Sequence, residues 1–305
     1  MHKKLNKVFI MTTPRSGSTL LGQQLGINNR IFHIGESSYW DLLPLNKIQC
    51  SCGLLDCHFL SKIAPEIQFN HLAKPLLKLW QIVDNKYWPN KKVSEGSVFQ
   101  YQHVKVAPTT FNYWLNRSPK ALDNIISVYS KHTNNDIFVD NTKLHCIGEK
   151  LVDRLDWKII VLLRDPRGIM CSYKLAGISK GDFRTTKSVL PYLSDFIYTI
   201  KKVVSKNNVK LVKYEDFCAN PELVMKELCK FIDIPYDSDM SKSFTNNDDY
   251  RGHVIKGNRL LKENNVKKIK EDIQWKSLLT DTELEELHQD KGLVNSYREF
   301  GYTID

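Results

Sequence analysis

Short apolar runs recur along the chain and predict the strands of a parallel sheet. Runs rich in Val, Ile, Leu and Phe occur at 7–11, 31–34, 136–140, 158–163 and 209–214. Helix-like patterns lie between several of them, at 142–155, 166–177 and 220–233. Continuous apolar strands that alternate with helices are typical of a parallel sheet covered on both faces. The pattern therefore predicts an α/β fold with a central parallel sheet.

Two regions have a different pattern. Residues 44–130 are rich in aromatic residues and follow a helical period without a strand rhythm, which predicts a helical insertion that caps one edge of the sheet. Residues 262–299 are charged and amphipathic, which predicts one or two surface helices. No internal repeat or low-complexity linker divides the chain, so we expect a single domain over 1–305.

Composition adds a preference for anionic partners. The 305 residues are 42% hydrophobic, and 44 Lys and Arg against 34 Asp and Glu leave a net charge of +10. A basic surface favours nucleotides, phosphates, sulfated or acidic sugars, nucleic acids or anionic membranes, although a solvated lysine-rich surface explains the same charge. Charge alone does not choose among these partners.

The cysteines and the apolar runs predict a cellular setting. No run approaches the roughly 20 apolar residues that span a bilayer, and the apolar run at 7–11 is too short for a signal peptide. The seven cysteines are an odd number. These features predict a reduced, cytoplasmic protein without a transmembrane segment.

The stretch TTPRSGSTLL, which follows the first predicted strand, has the composition of an anion-binding loop. Ligands of α/β sheets bind where strands end and helices begin, because free backbone N–H groups and a positive helix terminus meet there. Gly17 allows close backbone approach, Ser18 and Thr19 add hydroxyls, and Arg15 adds a forked cationic donor. A helix cap beside a surface arginine explains the same residues. The loop lacks the Gly-Lys-Ser/Thr ending of a Walker A loop.

The stretch KIIVLLRDPRGIMCS repeats this design. Arg164 follows a predicted strand, Asp165 and Pro166 suit the start of a helix, and Ser172 lies about two helical turns further on. Arg164 and Ser172 are candidates for a second anion site, and a structural Arg-Asp turn is the alternative. Two anion sites on neighbouring strand-helix units indicate one ligand with two separate anionic groups.

Patches along the chain resemble one enzyme superfamily. TPRSGSTLL, LLRDPRGIMCS, LVKYEDFCANPELVMKELCKFI, and HVIKGNRL with SYREFGY resemble, in order, segments of sulfotransferases that use 3′-phosphoadenosine 5′-phosphosulfate (PAPS), in particular the bacterial branch. The resemblance implies an enzyme with a P-loop-NTPase-like, three-layer α/β/α fold and PAPS as its donor. It places the helical insertion on the acceptor side and makes 250–305 a segment that closes over the nucleotide, followed by helices.

The resemblance also implies which residues bind the donor. By resemblance, the first loop binds the 5′-phosphosulfate; its residues are Arg15, Ser16, Gly17, Ser18 and Thr19. The 3′-phosphate falls to Arg164 and Ser172. The closing segment contributes Lys256, Gly257, Asn258 and Arg259. We expect no metal requirement, because the sulfuryl group carries less charge than a phosphoryl group.

Glu36 is the candidate base for the acceptor hydroxyl. It lies 21 residues after Arg15 and follows a glycine, which resembles the catalytic glutamate of tyrosylprotein sulfotransferases. The alternative is that Glu36 caps a helix that starts near Ser37. Four histidines are rival bases that we rank lower, because a single histidine is more often structural: His33, His103, His145 and His253.

One position departs from the family pattern. Related enzymes commonly carry Asp-Lys-Ser/Thr-Pro after the third strand, where the lysine assists the leaving group. Here FVDNTKLH places Asn141 at that position and Lys143 two residues later. Either Lys143 acts through a shifted turn, or Arg15 supplies the positive charge alone.

Three cysteines lie within the short stretch CSCGLLDC. Cys50, Cys52, Cys57 and the adjacent His58 have the chemistry of a zinc site. Neighbouring residues such as Cys57 and His58 rarely bind one ion, and the paired Cys-x-x-Cys spacing is absent. The sequence therefore favours reduced structural thiols over zinc.

The leading hypothesis is sulfuryl transfer from PAPS to a hydroxyl group, with a carbohydrate or small metabolite favoured as acceptor, an anionic glycan included, and peptide tyrosine as an alternative. A P-loop kinase with Asp140 on Mg²⁺ is a second hypothesis, which the missing Walker lysine opposes. A non-catalytic nucleotide-binding protein is the third. Nucleic-acid binding rests on net charge alone, without a recognisable module, so we expect no nucleic-acid partner.

Overall fold

A five-stranded, fully parallel sheet forms the centre of the molecule. The computed structural model describes residues 5–40, 50–52, 57–88, 108–180, 186–243, 253–254 and 269–304. The strands are β1 (Asn6–Met11), β2 (Ile31–Gly35), β3 (Ile137–Asp140), β4 (Trp157–Leu163) and β5 (Val209–Lys213). Their spatial order is β2-β3-β1-β4-β5, and every neighbouring pair is parallel. The predicted α/β fold with a central parallel sheet is confirmed.

Helices cover both faces of this sheet. They are α1 (Ser18–Leu25), α2 (His58–Phe69), α3 (Lys74–Tyr87), α4 (Pro108–Ser130), α5 (His145–Leu151), α6 (Pro166–Lys180), α7 (Thr186–Val203), α8 (Tyr214–Ala219), α9 (Pro221–Ile232), α10 (Trp275–Leu278), α11 (Asp281–Gln289) and α12 (Lys291–Glu299). None of those described is both long and apolar enough to cross a membrane.

The side chains of β1 show why both faces need cover. Val8 and Ile10 join an apolar core that also contains residues of α1 and α9. Phe9 and Met11 join a larger core on the opposite face. Alternate residues of a strand point to opposite faces of its sheet, so a strand that is apolar throughout requires helices on both sides.

The helices α2, α3 and α4 are the described helices of the region 44–130. Their buried residues belong to the larger core, on the same face as Phe9 and Met11. A group of rings near the edge strand β2 joins these helices to the sheet, since Phe59 of α2 stacks on Phe32, and Tyr129 of α4 contacts both rings.

The helices α10, α11 and α12 are the described helical part of the C-terminal region. A capping box starts α11, in which Thr280 and Glu283 bond each other's backbone N–H groups. Tyr297 of α12 is fully buried in the larger core. Because all strands are parallel, the loops that follow β1, β2, β3 and β4 lie at one edge of the sheet, and helices cover both of its faces.

Candidate active site

The loop after β1 holds two residues in the left-handed backbone region. Arg15 has φ 72° and Gly17 has φ 88°. That conformation costs a non-glycine residue about 1–2 kcal/mol, and such strain clusters at functional sites. A hydrogen bond of 2.6 Å between the hydroxyls of Thr13 and Ser16 braces the loop from inside.

The start of α1 has the features of an anion-binding site. Gly17 precedes the helix, and no side chain in the described part of the protein caps it. The first-turn backbone N–H groups therefore lack intrahelical partners. The hydroxyl of Ser18 is buried and has no hydrogen-bond partner among the described residues. Thr19 is buried in the same turn. Phosphate or sulfate oxygens fit these donors.

Arg164 joins the second predicted anion site to the first. It is buried directly after β4, and its Nη1 donates a hydrogen bond of 2.8 Å to the Arg15 carbonyl. Its guanidinium lies 4.5 Å above the centre of the Tyr214 ring and donates to the Asp272 carboxylate at 3.2 Å. Gly168 leaves room for this side chain, since a Cβ there would lie 2.9 Å from Arg164 Nε. The two predicted loops are therefore in direct contact.

Ser172 lies on the second turn of α6 and is partly exposed. The start of that helix is fixed by Asp165, whose carboxylate accepts from the Arg167 backbone N–H at 2.8 Å. The Asp165 backbone N–H donates to Glu215 at 2.9 Å, and the other Glu215 oxygen accepts from the Tyr302 hydroxyl at 2.8 Å. Burial raises the pKa of Glu215, although these hydrogen bonds oppose the shift. Glu215 thus ties the end of the chain to the β4 loop.

Glu36 and Lys143 form an ion pair at the ends of β2 and β3. Their side chains are only 11% and 9% exposed. Glu36 stands at the N-cap position of the 3₁₀ turn Ser37–Tyr39, but its carboxylate makes no capping hydrogen bond and contacts the Lys143 ammonium instead. The Tyr192 hydroxyl donates to the Lys143 carbonyl at 3.0 Å, which holds the turn in place. The structure thus brings together two residues that the sequence named separately.

Asp140 binds the residues that neighbour this pair in the chain. Its buried carboxylate accepts from the Ser37 hydroxyl and, at 2.7 Å, from the Thr142 backbone N–H. Burial raises the pKa of Asp140 to about 6, although these hydrogen bonds oppose the shift. The Asn141 backbone N–H donates to the Gly35 carbonyl at 3.0 Å. Asp140 therefore joins the loops after β2 and β3. A kinase would need an exposed carboxylate here to bind Mg²⁺, whereas the Asp140 carboxylate is buried.

Two rival bases occupy structural positions. His33 is buried, and its ring lies where a Cβ on Gly22 of α1 would fall, 2.4 Å from Nε2. Burial lowers the pKa of His33 to about 3. His145 is buried against Tyr192, and burial lowers its pKa to about 4.

The remaining predicted site residues fall into two groups. His253 contacts the sulfurs of Cys50 and Cys57 through its Nδ1, so this nitrogen is not directed at an acceptor hydroxyl. His103 and the closing segment lie outside the described residues, which covers Lys256, Gly257, Asn258 and Arg259.

Glu215, Tyr302 and Asp272 had no predicted role, and Asp140 was predicted only as the Mg²⁺ ligand of the kinase alternative. The patches that contain Glu215 and Tyr302 were recognisable, but their pairing spans 87 positions. Only the folded sheet edge brings such residues to one place.

Solved structures with the same fold support the architecture. The sulfotransferase domain of the Synechococcus PCC 7002 olefin synthase aligns with a TM-score of 0.53 and 19% identity, covering 100% of this chain and 98% of that one. The sulfotransferase domain from the curacin biosynthetic pathway aligns with a TM-score of 0.53 and 14% identity, covering 99% of both chains. At these identities the likeness establishes the fold.

Sequence comparison extends the likeness to the family. Carbohydrate sulfotransferase 1 of Rattus norvegicus is 30% identical over an alignment of 112 residues, and the match covers 31% of this chain and 27% of that protein. This chain thus aligns with about a quarter of that relative's length. The sequence model of the sulfotransferase family matches residues 7–238, which contain both anion loops, Glu36 and Lys143. The chain therefore belongs to the sulfotransferase family, which confirms the family that its sequence predicts.

Proposed function

We propose that this enzyme transfers a sulfuryl group from PAPS to a hydroxyl group of a carbohydrate, with Glu36 as the base. The observation that carries the proposal is the Glu36–Lys143 ion pair, which lies at the same sheet edge as the Gly17 loop and Arg164. A carboxylate base and a cation next to an anion-binding loop are the groups that in-line transfer requires.

The donor brings an activated sulfuryl group and two separate anionic ends. We assign its 5′ end to Arg15, Ser16, Gly17, Ser18 and Thr19, because the uncapped helix start and the buried Ser18 hydroxyl offer donors. We assign the 3′-phosphate to Arg164 and Ser172. The contact of 2.8 Å between Arg164 and the Arg15 carbonyl keeps the two subsites at a fixed separation.

Glu36 and Lys143 divide the work of transfer. Glu36 receives the hydroxyl proton while the acceptor oxygen bonds to sulfur and the bond from sulfur to the bridging oxygen breaks. Lys143 stabilises the charge that develops on the leaving oxygen, which is the role of the family lysine that Asn141 replaces. Before the donor binds, the two side chains pair with each other.

The carbohydrate acceptor is inferred from two features. The aligned relative is a carbohydrate sulfotransferase, and the net charge of +10 favours an anionic sugar chain over a neutral acceptor. A peptide tyrosine or a small alcohol is the alternative acceptor class. An acceptor screen that contains glycans, tyrosine peptides and small alcohols separates them.

The first experiment measures binding by isothermal titration of 3′-phosphoadenosine 5′-phosphate (PAP), AMP and ATP, each with and without Mg²⁺. We expect metal-independent binding of PAP and an affinity for AMP lower by about tenfold or more, because AMP lacks the 3′-phosphate. Preference for ATP with Mg²⁺ would contradict the proposal.

The second experiment tests the base. Glu36→Gln should lower turnover with labelled PAPS by about 100-fold or more and leave PAP affinity within about threefold. Glu149→Gln is the matched control, because Glu149 pairs with Lys202 at 3.0 Å on the exposed side of α5. Equal turnover in the two variants would exclude Glu36 as the base.

A further inference from the structure

Three cysteines and one histidine converge next to β2, outside the donor and base residues. The ligand atoms of Cys50, Cys52, Cys57 and His253 all lie within 4.8 Å of one another. His253 Nδ1 is 3.4 Å from the Cys50 sulfur and 3.2 Å from the Cys57 sulfur. The histidine comes from a segment about 200 positions away, so the spacing of CSCGLLDC could not reveal it.

The two distances from His253 to sulfur are close to those in the ligand shell of a zinc ion. Tetrahedral zinc with Zn–S near 2.3 Å and Zn–N near 2.0 Å separates its sulfur ligands by about 3.8 Å and sulfur from nitrogen by about 3.6 Å. The two measured sulfur–nitrogen distances lie within a few tenths of an ångström of that value. All three cysteines are free thiols.

The fourth ligand is His253 and not His58, so zinc binding does not require two neighbouring residues to bind one ion. His58 is adjacent to Cys57 and is exposed, so it stays outside the cluster. His253 takes the fourth position, and its ring is oriented by stacking on Phe59 with ring centres 5.0 Å apart. Phe59 in turn stacks on Phe32 of β2 at 5.1 Å. The ring is therefore held with Nδ1 towards the sulfurs.

The backbone around the cluster is also fixed. The Ser51 N–H donates to the Val254 carbonyl at 2.9 Å, and the Val254 N–H donates to the Ser51 hydroxyl at 3.1 Å. Cys57 stands at the N-cap position of α2, so the start of that helix fixes its backbone. Two hydrogen bonds and the start of α2 thus fix the backbone of the three segments that carry the four side chains.

We propose that Cys50, Cys52, Cys57 and His253 bind one structural Zn²⁺ ion. Four protein ligands complete a tetrahedron and leave no open position for substrate, so the ion has a structural role. It joins residues 50–52, the start of α2 and residues 253–254, which the sequence separates widely.

The zinc site also bears on catalysis. Val254 packs against Gly35, where a Cβ would lie 3.0 Å from the Val254 Cβ, and Gly35 directly precedes Glu36. The ion would therefore hold Val254 against the residue that precedes the proposed base; this consequence rests on the proposed function, whereas the zinc site does not.

The test is the metal content of the full chain, purified without a metal-affinity tag from zinc-supplemented medium. We expect about one zinc per chain by elemental analysis in the wild type and in Cys146→Ser, whose thiol lies outside the cluster. Cys52→Ser and His253→Ala should each retain less than about a tenth of that zinc. Folded wild-type protein without zinc would overturn the proposal.

A second readout avoids variants that fail to fold. Replacing the metal of the wild type with Co²⁺ should give the visible bands of tetrahedral cobalt and a near-ultraviolet band from thiolate ligands. Cobalt that shows only the weak spectrum of octahedral coordination would contradict the site. These measurements use neither PAPS nor an acceptor, so failure of the proposed function would leave their outcome unchanged.

Discussion

Gly17 is the residue at which the loop proposed to bind the donor depends most directly on the absence of a side chain. Its φ of 88° lies in the left-handed region, and a Cβ built there would be 2.6 Å from Cδ2 of Tyr214. The same Tyr214 ring supports the Arg164 guanidinium. Because Gly17 has no Cβ, the start of α1 packs directly against the Tyr214 ring that contacts Arg164.

Gly17→Ala should weaken PAP binding by about tenfold or more, because the methyl group must displace either the helix start or the ring beneath Arg164. Titration of PAP into the variant measures the effect. Gly301→Ala is the control, since Gly301 has a similar φ of 77° but its Cβ would meet only the flexible Lys213 ammonium. Wild-type affinity in Gly17→Ala would show that this loop does not hold the donor.

At the scale of elements, the strands were predictable because their signal is local. All five apolar runs correspond to strands, with ends that differ by at most one residue. A strand buried on both faces is apolar throughout, which a short window of sequence reveals. The spatial order β2-β3-β1-β4-β5 follows from long-range packing and has no such local signal.

The side-chain partners within the site were less predictable than its loops. Glycine, hydroxyl and arginine residues marked the two anion loops in the sequence. The pairing of Glu36 with Lys143 joins positions 107 residues apart, and Arg164 meets Asp272 across 108 positions. The turn after β3 decides that Lys143, rather than a residue at position 141, reaches Glu36. The register of β2 on β3 places the loops that carry the two residues next to each other.

The segment before α10 places a carboxylate against the arginine proposed to bind the 3′-phosphate. Asp272 accepts from Arg164 at 3.2 Å and from the Gln274 side chain at 2.9 Å. Burial alone would raise the pKa of Asp272, but these hydrogen bonds and the arginine charge lower it overall. A bound phosphate and this carboxylate would compete for one guanidinium.

Asp272→Asn should therefore strengthen PAP binding by about two- to fivefold, a modest gain because the Asp272 side chain is 32% exposed and its ion pair is partly screened. Binding of AMP, which has no 3′-phosphate, should not change. Titrations of both nucleotides into wild type and variant measure the difference. Weaker PAP binding in the variant would instead make Asp272 a residue that positions Arg164.

At the scale of the whole molecule, buried ionisable groups oppose one another in their effect on stability. His33 and His145 have lowered pKa values, so the stability that they contribute is lost as the pH falls below the ordinary histidine range. Asp140 has a raised pKa and acts in the opposite direction over nearly the same range. The pH dependence of the wild type alone therefore hides the contribution of each group.

Asp140→Asn isolates one of these contributions. The carboxyl of Asp140 has a pKa of about 6 in the folded state against an ordinary value of 3.8, so its favourable contribution is present below pH 4 and is lost as the pH rises through 6. Between pH 4 and 7, the free energy of unfolding of the variant should rise by about 2.4 kcal/mol relative to that of the wild type. The two histidines are common to both proteins and cancel in this difference, and the hydrogen bonds lost from Ser37 and Thr142 shift its level without changing its slope. Denaturant unfolding of both proteins at intervals of one pH unit measures the difference. A difference that stays constant across this range would mean that Asp140 ionises as in the unfolded chain, and its place beneath the Glu36–Lys143 pair would then need another explanation.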